Sequence, residues 1–142
     1  MFDITKRSAS ETGVIDLKNG DGGPLLDDDG NQLSVTVHGP GSKIWQQADA
    51  EVNRRRNERI RKAGGNFTAA LDNVKDDQID FLVRVTVSFN GWEYPPPEKG
   101  KWTSQADMFR AAYSDDRIGF IRDHVHGEVR DWSAFTKGSA KS

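Results

Sequence analysis

The stretch between Ser42 and Gly65 constrains the fold most, because it carries both the start and the stop signal of one long helix. The hydroxyl of Ser42 can accept a hydrogen bond from an unpaired backbone N–H of the first turn. Gly64 and Gly65 are the residue type that commonly follows a helix C-terminus. Residues 43–62 contain no glycine or proline and are predicted to be helical. Their apolar residues recur at helical spacing on one face, namely Ile44, Trp45, Ala48 and Val52.

The C-terminal end of this predicted helix is strongly basic, since six of the nine residues in 54–62 are lysine or arginine. The chain as a whole has a formal net charge of −2, but this value hides a segregation of charge. Residues 1–42 carry −4, residues 43–62 carry +4 and the remainder carries −2. The arginines of the basic end are Arg54, Arg55, Arg56, Arg59 and Arg61.

Three interpretations of this basic end compete. It could be a solvated helix face that pairs with the acidic segments of the same chain. It could dock an acidic protein partner, because arginine binds carboxylates in a bidentate manner. It could also contact nucleic acid, although the acidic total and the lack of a recognised reader motif disfavour that interpretation. The sequence alone does not distinguish a solvated helix face from a docking site for an acidic partner.

Dense turn signals mark the N-terminal part of the chain. Glycine, proline, asparagine and aspartate punctuate residues 13–41, and short apolar pieces lie between them. Residues 33–37 alternate with a period of two, which is typical of a strand. We therefore predict a small β-rich segment over residues 13–41, and we find no internal repeat in it. Residues 1–12 are predicted to be a mobile N-terminus.

A helical domain is predicted over residues 42–136, followed by a polar tail over residues 137–142. Residues 79–90 are the ambiguous part of it. Strict alternation of apolar residues from Phe81 to Phe89 favours a strand, whereas a partial 3.6-residue period also permits a helix.

Two further helices are predicted near the C-terminus. Ser104 can cap the first of them, which buries Tyr113. The second begins near residue 115 and runs for about four turns. Its predicted buried face consists of Ile118, Ile121, Val125, Val129 and Trp132.

Motifs for catalysis or metal binding are missing from the sequence. There is no cysteine, which excludes disulfides, thiolate ligands and cysteine nucleophiles. His124 and His126 point to different sides of a helix and would chelate one ion poorly. The acidic run at 27–29 lacks the ligand spacing of a calcium loop, so we interpret it as a turn. No phosphate-binding loop or serine nucleophile motif occurs. We expect no catalytic residue, no metal, no cofactor and no enzymatic activity.

Aromatic residues flank the proline run at 95–97. Trp92, Tyr94 and Trp102 are candidates for contact with a partner, since aromatic side chains dominate interface hot spots. We group these three with the five arginines as predicted partner-binding residues. Trp132, in contrast, lies on a periodic helical face and is predicted to belong to the core.

Four stretches of the chain, taken in order, carry a resemblance to a known family. They are LSVTVHGPGSKIW at residues 33–45, DFLVRVTVSFNGW at 80–92, FRAAYSDDRIGFIRD at 109–123 and DWSAF at 131–135. An arginine-rich helix follows the first of them. This order resembles the tail assembly chaperones of long-tailed bacteriophages and prophages, over residues 14–136.

The resemblance implies a protein that binds the tape-measure protein and the major tail tube protein while the tail is built, and that leaves before the virion is complete. It also implies a mainly helical fold, which favours a helix over residues 79–90. The expected fold class is α+β and mainly α, with a small N-terminal β-hairpin or meander followed by about four helices. Self-association is left open.

The expected location is the host cytoplasm, because no apolar run is long enough to span a membrane and no signal peptide is visible. The alternative function is a structural virion component, either a minor tail protein or a head–tail joining protein, which would place the chain in the virion. A small nucleic-acid-binding regulator is a weaker alternative, since the acidic total opposes phosphate binding.

Overall fold

Strands from two separate parts of the chain form one antiparallel sheet in the computed structural model, which describes residues 1–66, 68–71, 73–97 and 100–140. The elements are β1 (Thr12–Asp16), β2 (Ser34–His38), α1 (Lys43–Lys62), α2 (Thr68–Leu71), α3 (Val74–Val85), β3 (Thr86–Asn90), α4 (Gln105–Ser114), α5 (Gly119–Val129) and α6 (Ser133–Ala140). The strand order is β1-β2-β3. The predicted class, α+β and mainly α, is confirmed.

Helix α1 has the bounds that its local signals predict. Ser42 is the N-cap, and its hydroxyl oxygen accepts a hydrogen bond from the Trp45 N–H at 3.2 Å. Beyond the C-terminus, Gly64 and Gly65 have positive φ angles of 69° and 86°, which are unfavourable for other residues. Short-range chemistry therefore fixes both ends of this helix.

The segment 79–90 is half helix and half strand, so the helix favoured over its whole length is wrong for residues 86–90. Helix α3 ends at Val85, and the next residue, Thr86, begins β3. The hydroxyl of Thr86 donates to the Leu82 carbonyl oxygen at 2.6 Å, which satisfies one end carbonyl of the helix. The backbone then pairs antiparallel with β2, and this non-local pairing overrides the helical expectation.

An internal repeat of eight residues, which the sequence analysis missed, connects β1 to β2. Leu17, Leu25 and Leu33 form a closed ring of backbone hydrogen bonds: Leu17 donates to Leu33 at 2.9 Å, and the other two links measure 3.0 Å. Each eight-residue unit makes a small turn with a glycine at positive φ, Gly22 at 92° and Gly30 at 85°. The repeat is difficult to detect in the sequence because its units share little more than the leucine and the Asp-Gly pair.

Gln32 occupies the centre of this ring. Its side-chain amide nitrogen lies 2.8, 3.1 and 2.8 Å from the carbonyl oxygens of Leu17, Leu25 and Leu33. All three neighbours are acceptors, so the side chain must present its N–H groups to them. One amide thus links the three corners of the repeat.

We expect Gln32→Ala to lower the free energy of unfolding by about 1 kcal/mol. The loss is this small because Gln32 is exposed, so water can replace part of its hydrogen bonding to the three carbonyl oxygens. Gln32→Glu should cost more, since a carboxylate cannot donate and faces three carbonyl oxygens. Urea denaturation measures both changes. Asp28→Ala, at an exposed turn of the same segment, is the control and should stay within about 0.5 kcal/mol of the parent. Equal effects of Gln32→Ala and Asp28→Ala would contradict the bridging role.

One hydrophobic core joins the sheet to the helices. Residues of the predicted β-rich segment 13–41, such as Ile15 and Val35, lie in the same cluster as Val85 and Val125 of the predicted helical domain. Its largest fully buried side chains include Tyr113, Phe81 and Phe135.

Tyr113 is buried as predicted, but the core assignment of Trp132 is wrong, since 54% of this residue is exposed. The reason is that α5 ends at Val129, and Trp132 lies beyond the periodic face.

Both ends of the described chain contain short helical turns. Residues Ile4–Arg7 form a 3₁₀ turn within the predicted mobile N-terminus. Helix α6 extends to Ala140, into the predicted polar tail, whose last two residues, 141 and 142, lie outside the described residues. Among the described helices, none is both long and apolar enough to cross a membrane.

Candidate partner-binding surface

The arginines at the end of α1 divide into two groups with different neighbours. Arg55 and Arg59, which we call the inward arginines, face α3. Arg55 Nη1 lies 2.8 Å from Asp80 Oδ2, and Arg59 forms an ion pair with Asp77. The Asp77 side chain is only 4% exposed. These two arginines therefore hold α1 against α3.

Asp80 connects three helices through its two oxygens. Its Oδ2 accepts from Arg55 of α1, and its Oδ1 accepts from Arg110 of α4 at 2.7 Å. Burial alone would raise the pKa of this carboxyl, but the hydrogen bonds from Arg110 and Arg55 outweigh burial and hold it below its usual range. Asp80 therefore stays ionised in weak acid and keeps both pairs.

Arg54, Arg56 and Arg61, the outward arginines, form their hydrogen bonds and ion pairs within their own helix, as far as the described residues show. Arg54 pairs with Glu51 at 2.7 Å, and Arg61 pairs with Glu58 in the same i, i+3 arrangement. The side chains of Arg54 and Arg61 are 66% and 73% exposed. Exposed pairs of this kind contribute little stability, so a partner's carboxylate could displace them readily.

Arg56 differs from the other outward arginines because it borders a groove of about 250 Å³ between α1, α3 and α5. Its guanidinium donates to Asn53 at 3.2 Å. Across the groove, the Arg130 guanidinium carbon lies 5.7 Å from the ring centroid of Phe81. Burial, and then the Arg130 charge, lower the pKa of His126, so this groove histidine is neutral at neutral pH.

The three aromatic candidates are half-buried, and all use their polar atoms within the chain. Trp92 stacks on Phe89 with centroids 3.9 Å apart, and its Nε1 donates to the Ser34 carbonyl oxygen at 2.9 Å. Trp102 Nε1 donates to the Tyr94 carbonyl oxygen at 2.7 Å. These contacts place the aromatic loop against the body of the protein.

Asp115 fixes the hydroxyl end of Tyr94. The phenol donates to Asp115 Oδ2 at 2.7 Å, and Arg117 binds the same carboxylate. Arg117, followed by Tyr94, holds the pKa of Asp115 well below its usual range, and this hydrogen bond in turn raises the pKa of Tyr94. The Tyr94 hydroxyl therefore connects the loop before α4 to the Asp115–Arg117 ion pair just after α4.

The structure does not bring the arginines and the aromatics into direct contact within the part of the chain that it describes. Helix α4 connects the two groups, because its Arg110 meets Arg55 at Asp80, while Asp115, just after its last residue, binds Tyr94. The eight predicted partner-binding residues therefore form two surfaces, and their role in binding stays a prediction.

A signal for the two groups of arginines was present in the sequence. Arg55 and Arg59 continue the helical register of Ala48 and Val52, which are buried, whereas Arg54 and Arg61 lie off that register. Extending the apolar stripe through the arginine run separates Arg54 and Arg61 from the inward pair, but it does not separate Arg56, which lies four residues after Val52. No comparable signal marks Arg130, which reaches the groove from a distant part of the chain.

The two sequence features that invited a metal interpretation have other structural roles. His124 Nε2 lies 3.0 Å from the Asp16 carbonyl oxygen, whereas the His126 ring packs against Phe81. Asp27 Oδ1 accepts hydrogen bonds from the backbone N–H groups of Asp29 and Asn31, as in a tight turn. Within the described residues, no group of three or more His, Cys, Asp or Glu side chains is placed to hold a metal ion.

Apolar side chains add contact area outside these two surfaces. Trp132 lies against the backbone near Gly41 and exposes more than half of its area. Other exposed apolar residues include Phe2, Ile4, Val14, Leu26, Ile44, Leu71, Val74 and Val87. They are scattered over several elements and do not by themselves define a site.

Comparison of the chain with known proteins found no matching family model, no matching curated protein and no matching solved structure.

Proposed function

We propose that this chain is a tail assembly chaperone of a long-tailed bacteriophage or prophage, which binds the tape-measure protein and the major tail tube protein in the host cytoplasm and is not an enzyme. The resemblance over residues 14–136 supports the class. The observation that carries a binding role is the position of the outward arginines Arg54, Arg56 and Arg61, whose partners lie on their own helix.

The inward arginines hold α1 rigidly in place beneath the outward arginines. Because the inward arginines and Asp80 connect α1 to α3 and α4, little order remains to be gained in α1 on binding. The outward guanidiniums are then presented on a preorganised helix and can bind carboxylates of an acidic partner in a bidentate manner. Their long-range attraction should also raise the association rate at low salt.

Co-expression with tape-measure and tail tube proteins from the same genome as this chain tests the proposal. We expect a complex that co-purifies at low salt and weakens as salt rises, since exposed charges are screened. Reversal of the outward arginines, as Arg54→Glu, Arg56→Glu and Arg61→Glu together, should weaken the complex by at least about tenfold in Kd, which isothermal titration calorimetry can measure.

The matched control reverses three exposed basic residues outside α1, as Lys6→Glu, Arg84→Glu and Lys101→Glu. It changes the net charge by the same amount and should leave the Kd nearly unchanged. Equal losses in both triple variants would show that only net charge matters and would contradict docking by α1. Detection of the chain in mature particles would favour the structural virion component over a chaperone that leaves.

A further inference from the structure

One edge of β1 points away from the sheet. The backbone bonds that flank β1 involve odd-numbered residues, since Leu17 donates to Leu33 at 2.9 Å and Gly39 donates to Glu11 at 2.7 Å. In an antiparallel ladder, successive residues face opposite edges. The backbone groups of the even-numbered residues, Thr12, Val14 and Asp16, therefore face the side opposite β2.

Both ends of this outer edge are bonded to helices. The Ser10 N–H donates to the Phe135 carbonyl oxygen at 2.8 Å, and His124 Nε2 lies 3.0 Å from the Asp16 carbonyl oxygen. Between these contacts, the outward N–H and C=O groups of Thr12 and Val14 have no protein partner among the described residues. Two residues of strand edge are thus unpaired.

A cleft of about 570 Å³ lies beside the unpaired groups, and we call it the β1 cleft. Its walls are the edge of β1 and the facing parts of α5 and α6, including His124, Glu128 and Phe135. This volume is within the range of about 300–1000 Å³ that is common for ligand pockets. Val14, which is 57% exposed, lies at the centre of the edge. The cleft therefore has both the room and the backbone groups to take a short extended segment.

The charges at the cleft define the kind of segment that fits. Asp16 and Glu128 line it from opposite walls, and among the described residues neither carboxylate forms an ion pair. Lys18 is the only lysine or arginine in the described lining. With two carboxylates against one lysine, the described lining is net negative and attracts cations.

We propose that the outer edge of β1 binds an extended, basic segment of a partner protein as a fourth strand. The segment pairs its backbone with Thr12 and Val14, and places lysine or arginine side chains near Asp16 and Glu128. Main-chain pairing supplies affinity in this mode, and the flanking side chains supply specificity. Such binding is independent of the outward arginines, which prefer acidic partners.

Three synthetic peptides of five residues test this site on the full-length protein. They are acetyl-Thr-Lys-Val-Lys-Thr-amide, its acidic counterpart with Glu in place of Lys, and a version with Pro in place of Val. The basic peptide should shift the NMR amide signals of Thr12 and Val14 and slow their hydrogen exchange by at least about tenfold at saturation. The acidic and proline peptides should bind at least about tenfold more weakly.

Two variants separate backbone pairing from charge. Val14→Pro removes an N–H that faces the cleft and not β2. It should abolish the slowing of hydrogen exchange at Thr12 by the basic peptide. Glu128→Gln keeps the side-chain shape and should weaken binding of the basic peptide and reduce its dependence on salt. Glu11→Gln, the same change at an exposed residue outside the cleft, should have no effect.

Several results would overturn the assignment. Equal binding of the acidic and basic peptides would show that charge does not select the segment. NMR signal shifts confined to other surfaces would show that the β1 edge is not the binding site. Concentration-dependent protection of Val14 without any peptide would assign the edge to a second copy of the chain. If Val14→Pro fails to fold, an unchanged affinity of Glu128→Gln for the basic peptide would still contradict the proposal.

Discussion

Asp77→Ala should destabilise the fold by about 3 kcal/mol, because it leaves the Arg59 guanidinium half-buried without its carboxylate. Removing one partner of a buried ion pair typically costs about 3–5 kcal/mol, and Arg59 keeps some solvent contact, so we expect the lower end. Domains of this kind have a total stability of about 5–15 kcal/mol, so the loss is a large fraction. Equilibrium urea denaturation followed by tryptophan fluorescence should show a midpoint lower by about 1–3 M.

Asp76→Ala is the matched control for this prediction. Asp76 has the same charge and lies in the same first turn of α3, but it is exposed. Its loss should cost about 0.5 kcal/mol, the usual value for an acidic residue at a helix N-terminus. The paired replacement Asp77→Leu with Arg59→Met should recover most of the stability, because it removes both charges together. Similar losses for Asp76→Ala and Asp77→Ala would show that the ion pair with Arg59 contributes little.

The parts of the fold that the sequence predicted correctly depend on short-range chemistry. The hydroxyl oxygens of Ser42 and Ser104 accept hydrogen bonds from N–H groups three residues later, so the local pattern alone locates both helix starts. The buried stripe of α5 is also local, and Ile121, Val125 and Val129 are buried as predicted.

The errors arise where a distant part of the chain decides the structure. The change from α3 to β3 at Thr86 depends on pairing with β2, about fifty residues earlier. The separation of the arginines depends in the same way on Asp77 and Asp80, which reach α1 only after the chain has turned back. The β1 cleft, too, needs α5 and α6 beside the strand, which no local pattern encodes. Sequence reasoning therefore found the basic and aromatic residues but not their partners.

Phe135→Ala should lower the free energy of unfolding by about 3–5 kcal/mol, the usual cost of emptying a buried phenylalanine site. The ring is almost fully buried, and it packs directly on the backbone of Gly13 and Gly39. A Cβ built at Gly39 would lie 2.5 Å from the ring, and one built at Gly13 would lie 2.7 Å from it. The two glycines thus leave the space that the ring fills, and this contact joins α6 to the sheet.

The same geometry predicts that Gly39→Ala costs about 1–3 kcal/mol, because the ring must move within a packed core. Gly41→Ala is its control, since a Cβ there would lie 3.5 Å from the exposed Trp132 ring, an ordinary contact. Combining Gly39→Ala with Phe135→Leu should cost less than the sum of the two single changes, because the smaller side chain makes room for the new methyl group. Thermal and urea denaturation of all four variants measure this coupling. Additive costs, or equal tolerance of alanine at Gly39 and Gly41, would mean that the ring does not require glycine at position 39.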